Sequence, residues 1–150
     1  MAPMRRAARS SFVERETFIS LMLVHESLKS QMEALLAGHG LSEPQFNALR
    51  ILRGAGPRGL PSQQIAERLI TRQPDVTRLV DRLCAAGLVK RQPCKEDRRV
   101  THVRLTAAGR KTLARLDRPV DALHRRQFAH MPRGRVALLG ELLTEAGNRE

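Results

Sequence analysis

Tryptophan and tyrosine are missing from this chain, and its only aromatics are four phenylalanines. Proteins that hold unpaired nucleic-acid strands stack bases on aromatic platforms, so a single-strand binder is not expected. Cysteine is scarce as well. Cys84 and Cys94 make no disulfide framework, which suits a reducing, cytoplasmic setting. No run of about 18 apolar residues exists, so no membrane span is expected. The opening MAPMRRAARSS is basic but has no apolar run, and it does not read as a secretory leader.

Chemistry is equally thin. The chain has no glycine-rich phosphate loop, no nucleophile elbow and no His-Glu metal motif. Its acids interleave with arginines along helix surfaces instead of pairing as an acid-base dyad. The histidines, His25, His39, His102, His124 and His130, are scattered without ligand spacing, so no metal is expected. Neither catalysis nor a cofactor is expected.

Positive charge is what the chain has in excess. Lys and Arg number 27 against 15 Asp and Glu, a formal charge of +12. Such a surplus draws a protein toward polyanions, either nucleic acid or an anionic membrane surface. An arginine-favouring genome would leave the same mark. With stacking platforms absent, a nucleic-acid partner would be duplex DNA.

Helical spacing then organises the 150 residues. Ser11 and Glu14 fit a capping box. Behind them Phe18, Met22, Leu28, Met32 and Leu35 recur on one face up to Gly38 and Gly40. That predicts a helix of roughly 25 residues, long enough to need a long partner for its stripe. LSEPQFNALRIL opens a second helix with Ser42 as cap, Gln45 completing the box and Leu41 stapling onto Phe46. Gly54, Gly56 and Pro57 end it. LPSQQIAERLI is a short helix with Ser62 as cap and Ile65, Ala66 and Leu69 facing in. In TRQPDVTRLVDRLCAAGL, Pro74 suits the first turn, Val76, Leu79, Val80 and Leu83 form the inner stripe, and Gly87 with Leu88 suits a Schellman end. Thr77, Arg78, Asp81 and Arg82 face the other way.

Val89–Cys94 and Val100–Leu105 then read as two strands around the charged run KEDRR, with Thr101, Val103 and Leu105 on one face. Thr106 starts a fifth helix with the stripe Leu113, Leu116, Val120, Leu123 and Phe128. Pro119 predicts a kink or break in it. Pro132 opens a last helix with Val136, Leu139, Leu142 and Leu143 inside.

Short helix, turn, second helix, hairpin is the order of a winged helix-turn-helix, whose second helix enters the major groove. Arg72, Gln73, Asp75, Thr77, Arg78 and Arg82 are the candidate contacts there, with Thr71 and Arg72 near phosphate. The hairpin tip, Lys95, Asp97, Arg98 and Arg99, would lie against the narrow minor groove, which suits arginine. A solvated turn and a wet helix face are the bland alternatives.

Residues 41–111 resemble the MarR family of transcriptional regulators. The residues that carry the likeness are DVTRLVDRLCAAGLVKR and EDRRVTHVRLTAAGRK, with Asp97-Arg98-Arg99 as an Asp-x-Arg wing and Leu105-Thr106-Ala107-Ala108-Gly109 as Leu-Thr-x-x-Gly. The resemblance implies a mainly α fold with a small β-hairpin wing. It divides the chain into a flexible basic tail (1–10), an N-terminal dimerisation helix (11–40), a winged helix-turn-helix (41–105) and C-terminal dimerisation helices (106–150). It implies a homodimer that binds an inverted repeat in double-stranded DNA, usually as a repressor, with Asp97 holding Arg99 for the minor groove and Arg98 near phosphate.

It also implies release by a small aromatic or phenolic effector in a pocket near Met22, His25, Phe46, Arg50 and the start of the fifth helix. Plain core packing is the other reading of these residues. Some relatives sense oxidants through thiols. Cys94, expected to be exposed on the wing, is the redox candidate, and Cys84 reads as a small core residue. A non-specific architectural protein remains the rival for the charge.

Overall fold

The computed structural model describes residues 3–147, with side chains described from residue 12 onward. Among the described residues six helices and three short strands follow one another: α1 Pro3–Ala37, α2 Glu43–Ala55, β1 Leu60–Pro61, α3 Ser62–Arg68, α4 Val76–Ala85, β2 Val89–Pro93, β3 Thr101–Leu105, α5 Ala107–Gln127 and α6 Arg133–Gly147.

The first helix begins earlier than its capping signal. Its backbone is helical from Pro3, so Ser11 lies inside the helix and residues 3–10 form its first turns instead of a separate tail. Met4-Arg-Arg-Ala-Ala-Arg9 is made of strong helix formers, which lets the helix run past Ser11. Whether Ser11 and Glu14 exchange bonds lies outside the described side chains. The apolar stripe of α1 divides in two. Leu28, Met32 and Leu35 are half-buried and Leu36 is fully buried. Phe12, Val13, Phe18, Ile19, Leu21, Met22, Leu23 and Val24 are exposed.

The second helix is capped as its residues predict. Ser42 Oγ accepts from Gln45 N–H at 3.3 Å, and Gln45 Oε1 accepts from Ser42 N–H at 2.9 Å. Leu41 and Phe46 are buried in one core with Ala48, Leu49 and Leu52. Two starts differ from expectation. Ser62 is the first helical residue of α3, and Pro61 stands at its cap without a side-chain bond. Pro74 precedes α4, because Asp75 supplies the cap by accepting from Arg78 N–H at 2.9 Å. A carboxylate at that position satisfies a free backbone donor, which Pro74 cannot do.

The Schellman end forms: Leu88 N–H donates to Leu83 O at 3.0 Å and Gly87 N–H to Cys84 O at 2.9 Å, with Gly87 at φ +71°. The strands make one antiparallel sheet in the order β1-β3-β2, with Leu60 opposite Val103 and Arg91 opposite Val103 on the other side. Strand β1 has only two residues and gives no alternation for a sequence to show. It meets β3 because Gly59, at φ +67°, brings the chain so close that a Cβ there would sit 2.0 Å from Val103 O.

α5 runs unbroken through Pro119. Leu113, Leu116, Val120 and Leu123 are buried and Phe128 is half-buried. The inward set expected on α6 is not inside the protomer. None of its residues is buried, and Leu138, Leu142 and Leu143 are exposed. No helix among the described residues is long and apolar enough to cross a membrane.

Candidate nucleic-acid interface

Helix α4 is fixed at both ends and along one side. Asp75 holds its start, the Schellman turn its finish, and Leu79, Val80 and Leu83 sink into the core. The opposite face must then point outward. Thr77, Arg78, Asp81 and Arg82 are all exposed there. Asp81 faces its own hairpin, pairing with Arg91 at 2.7 Å, so Thr77, Arg78 and Arg82 carry the free surface. Asp75, also among the candidate contacts, has its carboxylate on the Arg78 N–H as the cap of α4. In the turn before α4, Arg72 is exposed and Gln73 half-buried. Gln73 and Thr71 line a small cavity against Lys29, Glu43 and Asn47.

The wing is a closed loop. Cys94 N–H donates to Val100 O at 2.7 Å, which pinches off Lys95–Arg99. Inside it, Asp97 accepts from Arg99 N–H at 3.0 Å and lies 3.7 Å from Arg99 Nε. One carboxylate thus shapes the backbone and leans on the side chain. The Arg99 side chain is nonetheless 94% exposed, a cation held at its root and free at its head. Lys95 and Arg98 are exposed beside it.

A further tie was not legible in the residues. Arg58, in the loop before β1, pairs with Glu96 at 2.6 Å, and its carbonyl accepts from Arg104 Nε at 3.0 Å. Residues 58 and 96 are 38 apart, and only the unforeseen β1 brings them together. Cys94 is half-buried, not exposed, and Cys84 is half-buried against the core with Arg91 Nη1 3.9 Å from its sulfur. Among the described residues no His, Cys, Asp or Glu cluster could hold a metal.

A cavity of about 320 Å³ lies between α1, α2 and the end of α5. His25, Phe46 and Arg50 line it, with the Arg50 guanidinium 5.8 Å from the Phe46 ring centre. Met22 does not line it. Gln127 Nε2 donates to Leu28 O at 3.2 Å, tying the end of α5 to α1 there, and Met22 lies more than a turn beyond, where α1 is exposed. From α5 the wall takes His124 and Gln127, with Phe128 at its C-cap. They come from that helix's end, not its start. Ile70, 80% exposed on the turn leading toward α4, also lines the cavity.

Known proteins share this architecture. A model of the MarR family matches residues 39–100. The chain is 31% identical over 126 residues to the HTH-type transcriptional repressor IacR of Pseudomonas putida, covering 84% of this chain and 74% of that protein. It is 28% identical to the HTH-type transcriptional regulator FarR of Neisseria gonorrhoeae, over 88% of this chain and 89% of that one. The crystal structure of a MarR transcription factor from Planctomyces limnophilus aligns at TM-score 0.69 and 39% identity, covering 87% and 94%. A cysteine-to-serine mutant of Escherichia coli MarR complexed with operator DNA aligns at TM-score 0.76 and 24% identity, covering 85% and 91%, which shows a common fold.

Proposed function

This chain belongs to the MarR family of DNA-binding transcriptional regulators, and from that premise we propose that it works in the cytoplasm as a homodimeric repressor on an inverted-repeat operator. Each protomer lays α4 in a major groove, with Thr77, Arg78 and Arg82 toward bases and backbone, and sends Arg99 into the neighbouring minor groove. Arg72, Lys95 and Arg98 stand near phosphates. The observation that carries this reading is the Asp97–Arg99 pair, which anchors the backbone of an arginine while leaving its head in solvent. Two half-sites about one helical turn apart would match the twofold axis of a dimer, and occupancy of a promoter by such a dimer blocks transcription.

We further infer that the 320 Å³ cavity takes a small aromatic or phenolic effector that releases the DNA. Phe46, Phe128 and Ile70 offer apolar contact; Arg50 offers a cation, while Lys29 is paired with Glu33 at 3.7 Å and Glu43 puts one acid in the wall. The volume lies at the lower end for a small-molecule site.

The test begins with an operator selected from a random duplex pool. Footprinting with competitor DNA should protect one inverted repeat, and Arg99→Ala should cost roughly 1–3 kcal/mol per half-site. Uniform coating of any duplex would instead support an architectural protein. In the same assay 2-naphthoate should displace the wild type and should fail against Arg50→Ala; no displacement by any arylcarboxylate would end the effector reading alone.

A further inference from the structure

The 320 Å³ cavity does not stand alone. A second one, of about 130 Å³, adjoins it, and Lys29, Glu43 and Asn47 line both. The two make one slot, with α2 along one wall and α1 along the other. Glu43, Phe46, Asn47 and Arg50 recur at i, i+3, i+4 and i+7, so they share one face of α2, and all four line the first cavity. That face runs from an acid to a base over about 10 Å at 1.5 Å per residue, with the Phe46 ring between them. The facing wall has the same polarity. His25, like Arg50, lines the first cavity and not the second; Glu33, about two turns further along α1, lines the second and not the first. Glu43 is half-buried and has no hydrogen-bond or ion-pair partner among the described residues. Lys29, the cation that lines both cavities, is already paired with Glu33 at 3.7 Å.

We propose that this slot takes a zwitterion, an arylcarboxylate with a primary amine at its far end. The inference rests on the effector reading above and names the class of effector. The carboxylate meets the Arg50 guanidinium, the ring lies on Phe46, and the ammonium reaches Glu43. A plain arylcarboxylate of the same length would cover Glu43 with apolar atoms, which strips water from a charge and leaves it unpaired. A diamine would satisfy Glu43 and oppose Arg50. One charge of each sign satisfies both ends. The acidic end also has neutral acceptors for an ammonium, which carries three donors. Asn47, Thr71 and Gln73 each bring a side-chain oxygen to the second cavity. Thr71 and Gln73 belong to the turn that leads into α4, so a ligand seated there bears on the start of the reading helix.

The probes are 4-(2-aminoethyl)benzoate and two molecules of the same shape. In 4-propylbenzoate a methyl group replaces the amine, and in 2-(4-isopropylphenyl)ethylamine an isopropyl group replaces the carboxylate. Calorimetry without DNA measures their binding to the full-length wild type, to Glu43→Gln and to Glu43→Asp. The wild type should hold the zwitterion at least about tenfold more tightly than either analogue, the contribution of one hydrogen bond to a charged group. In Glu43→Gln the preference over 4-propylbenzoate should disappear, and Glu43→Asp, which keeps the charge, should retain much of it. The preference is a ratio read within one protein, so a change in stability does not mimic it. A wild type that binds 4-propylbenzoate as tightly as the zwitterion would overturn the proposal and leave the effector reading standing. So would a Glu43→Gln variant that keeps the full preference, since the amine would then be held elsewhere. An amine that binds equally well without its carboxylate would overturn it too. Absence of zwitterion binding to a protein that 2-naphthoate does release from DNA would end this inference alone; failure of both compounds would end the effector reading with it.

Discussion

At the scale of single residues, the Leu-Thr-x-x-Gly signature is a junction between two helices. Thr106 Oγ1 accepts from Gly109 N–H at 3.0 Å to cap α5, and it donates to Gly87 O at 2.7 Å at the end of α4. Thr106 N–H donates to Leu88 O at 3.1 Å. That same carbonyl would stand 2.1 Å from a Cβ at position 109. Glycine is required there for space, not for a left-handed turn. Gly109→Ala should therefore cost about 2–3 kcal/mol as an overpacked site whose obstacle is backbone. Gly134→Ala, which meets nothing within 4 Å, is the matched control. Denaturant midpoints of the two variants check it; equal midpoints would mean that the α4–α5 junction is loose enough to part.

Elements show how one residue can be read two ways. Asp75 stands where a base-reading residue would, yet its carboxylate caps α4 through Arg78 N–H. Asp75→Ala should lose about 1 kcal/mol of stability, and Asp75→Ser should recover most of it. If the cap is what matters to DNA, Ser should also restore affinity. Affinity lost equally in Ala and Ser, with stability restored only in Ser, would return Asp75 to the groove. The same contrast explains what was legible in the sequence. Ser42 with Gln45, Thr106, Gly87 with Leu88 and the stripe of α4 are local devices, complete within a few residues, and the structure has each where the sequence puts it. The features that escaped depend on distant partners. β1 exists only because Val103 accepts its company. The Arg58–Glu96 tie follows from β1, and Met22 falls outside the cavity because of where α5 ends. The start of α4 is ambiguous for another reason: Pro74 and Asp75 are adjacent and both suit a helix start, and only the carboxylate's bond decides between them.

For the molecule as a whole, the described residues leave a long apolar surface uncovered. Eight apolar side chains between Phe12 and Val24 stand exposed on α1, and α6 has no buried residue at all. Patches of this extent mark association surfaces, and a self-complementary twofold contact is the commonest way to cover them. In the proposed dimer α6 and the outer part of α1 bury each other's stripes, and two reading heads are held at a fixed spacing. Leu142, exposed on α6, tests this without touching the protomer's core. Leu142→Glu should leave the thermal transition of the winged domain in place and give a monomer by sedimentation at micromolar concentration. A monomer has only one half-site to hold, so its operator affinity should fall by about 10²–10⁴, the usual worth of tethering two sites. Binding to an isolated half-site should be unchanged, because α4 and the wing are untouched. A variant that stays dimeric and keeps full operator affinity would show that the apolar face of α6 is covered by something other than a second copy.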